Sequence, residues 1–114
     1  MNSLNGAGGW YSFESGKTVG KRGSEGGTIL RDEEHGDGAR ITLERETLHN
    51  IPFGINCGIY GWMVHTRFFA DEASALEAYE QMKSSIGAIL AMLTHEEDSD
   101  TVSEAIDEFV EKYP

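Results

Sequence analysis

A single cysteine, Cys57, stands among the 114 residues, so no disulfide closes within the chain. Bases are scarce: nine lysines and arginines face twenty aspartates and glutamates, for a formal net charge of -11. That balance excludes a nucleic-acid binder working through a basic footprint. No run approaches the roughly eighteen apolar residues of a membrane-spanning helix. The start, Met1 to Trp10, lacks the basic and apolar regions of a signal peptide. With its lone cysteine, which suits a reducing compartment, the chain reads as a cytoplasmic protein with no membrane or nucleic-acid partner.

What is present suffices for one domain over residues 1–114 with a hydrophobic core. Its acids are unevenly placed. Residues 1–70 carry a net charge of -1 and residues 71–114 a net charge of -10. The acidic part reads as a solvated helix face; its functional counterpart is a docking surface for a basic protein, with salt-dependent binding.

Eight of the 14 glycines fall in residues 1–27. Glycine loses the most backbone freedom on ordering, which predicts loops here and a mobile stretch over 1–9. Trp10, Tyr11 and Phe13 suggest a short strand pinned by Trp10 or Phe13. A hairpin is expected over 28–46, turning at His35-Gly36-Asp37-Gly38. With Gly36-Asp37 as a two-residue loop, Leu30 faces Leu43 and Asp32 faces Ile41 on the core side. Glu33 then faces Arg40 and Arg31 faces Thr42 on the wet side. A slip of one residue reverses both faces.

Residues 52–69 are the most apolar segment and read as a central strand, or two strands joined at a glycine bulge near Gly54 or Gly58. Tyr60, Trp62, Val64, Thr66 and Phe68 share one face at period two; Ile59, Gly61, Met63, His65 and Arg67 share the other. A helix follows over 71–94, capped by Asp71, with an apolar stripe from Leu76 to Leu93. At 1.5 Å per residue it is roughly 35 Å long, longer than the sheet alone can cover. A capping box at Thr101-Val102-Ser103-Glu104 opens a second helix, ended by Pro114. The fold class is therefore α+β: an antiparallel sheet of three to five strands over 10–69, then two C-terminal helices over 71–112, in a two-layer sandwich. The expected core is Leu30, Ile41, Leu43, Tyr60, Trp62, Val64, Phe68, Leu76, Tyr79, Ile86, Ile106 and Phe109.

No catalytic constellation survives its spacing. Ser15-Gly16-Lys17-Thr18 resembles the end of a phosphate loop, but Tyr11 replaces the leading glycine and no helix start follows. Asp32-Glu33-Glu34-His35-Gly36-Asp37 is rich in oxygen ligands, yet strand alternation divides them between two faces and calcium-loop spacing is absent. His95-Glu96-Glu97-Asp98 lacks the second histidine of a zinc helix at Ser99. Cys57 and His65 lie roughly 26 Å apart on one continuous strand, and only a sharp reversal brings them into a thiol–imidazole dyad. No metal or cofactor is therefore expected.

His65 and Arg67 could hold an anion, with Tyr60 and Trp62 stacking a planar group, in a pocket between sheet and helices. The plainer expectation pairs Arg67 with Glu44, Glu46 or Glu72. Tyr60, Trp62, His65 and Arg67 are the candidate ligand-binding set. The leading functional expectation is a non-enzymatic regulatory or protein-interaction module, a homodimer, because apolar surface near residues 57–69 and 86–93 needs cover. One version is an inhibitor or immunity-type protein that neutralises a basic partner enzyme. The alternative is a small-ligand-binding protein or enzyme.

Overall fold

Turn chemistry sets the sheet. The computed structural model describes residues 9–114; the expected mobile stretch 1–9 lies outside them, apart from Gly9. Five antiparallel strands follow one another in sheet order: β1 (Trp10–Ser12), β2 (Thr28–His35), β3 (Ala39–Arg45), β4 (Phe53–Ile59) and β5 (Met63–Phe69). Two helices follow, α1 (Glu72–Thr94) and α2 (Ser99–Lys112). The α+β class is as expected, and no helix is long and apolar enough to cross a membrane among the described residues.

The β2–β3 hairpin turns where expected, but through three residues. Gly36, Asp37 and Gly38 separate the paired His35 and Ala39. The Gly38 amide donates to the His35 carbonyl at 3.0 Å, and Gly38 has φ 114°, a conformation glycine alone adopts freely. The extra loop residue shifts the register by one: Glu33 faces Ile41 and Asp32 faces Thr42. A bulge at Leu30 removes the shift, so Ile29 faces Glu44 and Thr28 faces Arg45, as the two-residue loop would have placed them. Between turn and bulge the faces of β2 are reversed from expectation, while β3 keeps Ile41 and Leu43 in the core as expected. Arg31 and Glu33 point toward the helices, and Asp32 lies on the opposite face with Thr42.

The apolar segment 52–69 is not one strand. It reverses at Tyr60-Gly61-Trp62, with the Trp62 amide donating to the Ile59 carbonyl at 2.8 Å and Gly61 at φ 82°. A positive φ at the third turn residue is what a type II turn requires. Ile59 pairs with Met63, and Ile55, Cys57, Ile59, Met63, His65 and Arg67 share the helix side. Val64, Thr66 and Phe68 share the open side with Gly54, Asn56 and Gly58.

The core lies between the sheet and α1. Ile41, Leu43, Ile55, Cys57 and Ile59 meet Ala75, Ala78, Tyr79, Met82, Ile86 and Leu90, with Val102, Ile106, Phe109 and Tyr113 of α2 closing one side. Trp10 joins this core at 3% exposure, as the short first strand suggested. Five expected core residues are not in it: Tyr60, Trp62, Val64, Phe68 and Leu76 are exposed. The first four belong to the sheet face and turn that the helices leave bare.

α1 starts as expected, with the Asp71 carboxylate accepting from the Ser74 amide at 2.8 Å. Its excess length is met by α2, which packs along it. α2 begins earlier than the capping box suggested. Asp98, not Thr101, is the cap, and it accepts from the Thr101 amide at 2.9 Å.

Candidate functional site: a groove on the open sheet face

On the side away from the helices, a groove of about 920 Å³ runs over the sheet. Its floor includes Thr42, Asn56 and Gly58. Asn56 and Gly58 alternate on this face of β4, and Gly58, with no side chain, keeps the floor low; Gly54, on the same face, is covered by Phe68 and Thr47. A Cβ on Gly58 would lie 3.3 Å from the Met63 carbonyl oxygen, and one on Gly54 would lie 3.2 Å from the Phe68 ring.

One wall is the segment 13–24, contributing Phe13, Thr18, Lys21, Arg22 and Ser24. The other is the β4–β5 turn and the start of β5, with Tyr60, Trp62 and Val64. Trp62 is 39%, Phe68 44% and Val64 82% exposed, a row of large apolar side chains along one ridge.

The first wall is held by buried charge. Glu44 is fully buried on the open face, and its carboxylate accepts from the Gly27 amide at 2.9 Å and the Glu25 amide at 3.1 Å. A Cβ on Gly23 would sit 2.3 Å from the Glu44 carboxyl carbon, so a side chain there would displace the loop. Across the floor, the Asn56 amide donates to Ser24 Oγ at 2.9 Å and Thr66 Oγ1 donates to the Asn56 oxygen at 3.1 Å. Ile29 is buried beneath this segment, apart from the main core.

Polar groups occupy the upper end of the groove. Arg40 donates twice to the buried Asp32, at 2.9 and 2.7 Å, and lies 3.7 Å over the Phe13 ring. The hydrogen bond from Arg40 to Asp32 raises the arginine pKa. Tyr11 and Tyr60 each donate to one oxygen of Glu34, at 2.9 and 2.7 Å. Burial, then the bond to Glu34, pushes the Tyr60 phenol up to about 12, so it stays a neutral donor near neutral pH. Thr18 Oγ1 is buried and has no hydrogen-bond partner among the described residues.

The four candidate ligand residues do not come together. Tyr60 and Trp62 line the groove, while His65 and Arg67 point to the helix side. His65 Nε2 donates to the Tyr113 carbonyl, and its ring meets Phe109 edge-on at 6.1 Å. The Arg67 guanidinium lies 4.7 Å over the Phe69 ring and 5.9 Å from the Tyr113 ring. It forms no ion pair among the described residues, and Glu44, one expected partner, is on the other face. Both side chains thus pack against the C-terminal turn, and the groove lies on the opposite side from the pocket expected between sheet and helices.

The chain reversal does place Cys57 directly opposite His65. Burial, however, pushes the Cys57 thiol up to about 12. A nucleophile needs the thiolate, so proximity alone activates nothing. Ser15-Gly16-Lys17-Thr18 forms turns, with Ser15 at φ 58° and no following helix. Among the described residues no three His, Cys, Asp or Glu side chains gather as a metal site.

Sequence reasoning missed Phe13, Lys21, Arg22, Arg40, Thr42 and Asn56 as groove residues. The available signal was Gly54-Ile55-Asn56-Cys57-Gly58, where small residues recur at period two on one face of a strand. The chain matches no protein-family model, no curated protein and no solved structure.

Proposed function

We propose that this chain is a non-enzymatic protein-interaction module of the cytoplasm that docks its partner on the open face of the sheet. The observation carrying this reading is the ridge of Trp62, Val64 and Phe68, flanked by Tyr60, exposed on the face the helices do not cover. Such exposed apolar side chains on one face favour association. The first partner in this reading is a second copy. β5 ends the sheet, and among the described residues its backbone bonds only to β4. A two-fold contact at this edge would cover the ridge and pair the free backbone groups together. The acidic helices leave room for a basic protein as a further partner, as in an inhibitor or immunity-type role.

Sedimentation velocity over a concentration series tests the reading. The expected result is a two-chain species that Val64→Glu or Trp62→Ala converts to monomer. A monomer into the high-micromolar range, unaltered by either substitution, would overturn self-association.

A second reading, a small-ligand-binding protein, is supported by the groove itself. Its volume of about 920 Å³ is within the range of small-molecule sites. Native mass spectra of the purified chain separate the two: an added small mass supports the ligand reading, and a bare doubled mass supports the module.

A further inference from the structure

The sequence concentrates Lys17, Lys21 and Arg22 within six residues of a chain that has only nine bases. The fold sets these three on the groove's outer wall, all exposed, with Lys21 and Arg22 lining the groove. None is ion-paired among the described residues, although acids outnumber bases more than two to one. Arg31, Arg40 and Lys83 each have a carboxylate partner, while Arg45, Arg67 and Lys112, also without an ion pair among the described residues, do not line the groove. The groove's acids are already engaged, apart from Glu14 beside Arg40 at the upper end: Asp32 is held by Arg40 and Thr42, Glu34 by Tyr11 and Tyr60, and Glu44, behind the first wall, by the Glu25 and Gly27 amides. Across the floor stand Trp62 and Val64. A cationic wall, a low polar floor and an apolar wall therefore face one another over the width of β3 and β4.

We infer that this groove seats an extended acidic segment of a partner protein. Its carboxylates meet Lys21 and Arg22, and its apolar side chains lie against Trp62 and Val64. This assignment rests on the interaction-module reading and gives its groove an occupant, which takes the place of a second copy on Trp62 and Val64. Charge chooses a short acidic peptide over a nucleic acid. A polyanion would carry its charge beyond Lys17, Lys21 and Arg22 into the field of a molecule with net charge -11. Two or three carboxylates need only the local cations, because more distant charge is screened within about 10 Å at ordinary salt.

Selection of a random peptide library displayed on phage against the full chain tests the inference. Selected sequences should be enriched in Asp or Glu beside an aromatic or aliphatic residue. Their synthetic versions should shift the amide resonances of Lys21–Ser24, Asn56–Gly58 and Tyr60–Val64. Affinity should fall about tenfold in the double variant K21Q/R22Q and with rising salt. Both side chains are exposed and unpaired, and the variant's amide spectrum verifies that it folds.

Selection of no sequence, of sequences without acidic enrichment, or of peptides that bind the double variant equally well would overturn the inference. So would an oligothymidylate that binds the groove in place of the peptides. If the peptides fail while sedimentation shows Trp62-dependent association, the groove assignment falls alone. If both fail, the interaction reading falls with it.

Discussion

Lys83 of α1 places its ammonium 3.0 Å from the Glu33 carboxylate of β2, between helix and sheet. The other Glu33 oxygen accepts from the Tyr79 hydroxyl at 2.8 Å, and Arg31 donates to the same oxygen at 3.1 Å. This ion pair exists because the three-residue turn rotated Glu33 inward, where the expected register had placed it in water. Burial, then the Glu33 charge, drives the Tyr79 pKa up, so it is a permanent donor. Removing one partner strands the other: Glu33→Ala should cost about 3 kcal/mol in urea unfolding, while Glu33→Leu with Lys83→Met should recover most of the loss. Equal stability of the single and double variants would contradict this account.

The two tryptophans should behave as opposites. Trp10 is 3% exposed and packs edge-on against His35, with 5.2 Å between ring centres. Trp10→Ala should cost about 3–5 kcal/mol. Trp62→Ala, on the open ridge, should change the free energy of unfolding by no more than about 0.5 kcal/mol. At concentrations where the chain is a monomer, acrylamide quenching should likewise reach the Trp62 emission and spare that of Trp10.

The groove wall depends on Glu44. Glu44→Gln replaces an acceptor of backbone amides by a group that is half donor, and should cost about 1–3 kcal/mol. Gly23→Ala forces a methyl into that carboxylate and should cost a similar 1–3 kcal/mol, roughly. Amide shifts confined to residues 21–29 and 44–48 are the expected signature of both.

Cys57 should resist labelling. With its thiol pushed up to about 12 by burial, almost no thiolate exists at pH 8. Ellman's reagent should react slowly with the folded chain and at the ordinary rate in denaturant. Fast labelling of the folded chain would mean that the β4–β5 core opens locally.

Acid should loosen α2 through its cap. The backbone amide and then the hydroxyl of Thr101 hold the Asp98 carboxyl below its ordinary value of 3.8. A folded pKa below the unfolded one stabilises the fold fully above the unfolded value. That stability is lost as pH falls through the folded value. Asp98→Asn keeps the cap, since asparagine serves as well, but should remove this part of the acid dependence. The check is helicity by circular dichroism on acid titration of both proteins.

The candidate site was partly legible. Tyr60 and Trp62 stood out as possible stacking residues because aromatic groups recur there at period two, and both line the groove. His65 and Arg67 stood out because charge is rare in an apolar run, but they sit on the other side of the sheet against Phe109 and Tyr113. Lys21 and Arg22 were hidden in a glycine-rich stretch with no periodicity. Backbone bonds of Gly20 and Lys21 with Ile29, the Glu44 carboxylate and the Asn56–Ser24 bond fix where that stretch runs.

The sequence by itself determined the order of the elements, the turn at Gly36–Gly38 and the start of α1 at Asp71. These depend on residues within a few positions of one another: glycines that accept positive φ, a carboxylate three residues before the amide it caps. Tertiary structure decided which face of β2 and of β5 is buried. That choice rests on whether a loop has two residues or three, on a bulge at Leu30, and on a reversal at Tyr60–Trp62. The loop and the bulge each move the pairing by a single residue, which with a side-chain period of two exchanges core for surface, and the reversal lays β5 beside β4. Hence Glu33 lies beside Lys83, Cys57 opposite His65, and Trp62 on the open ridge.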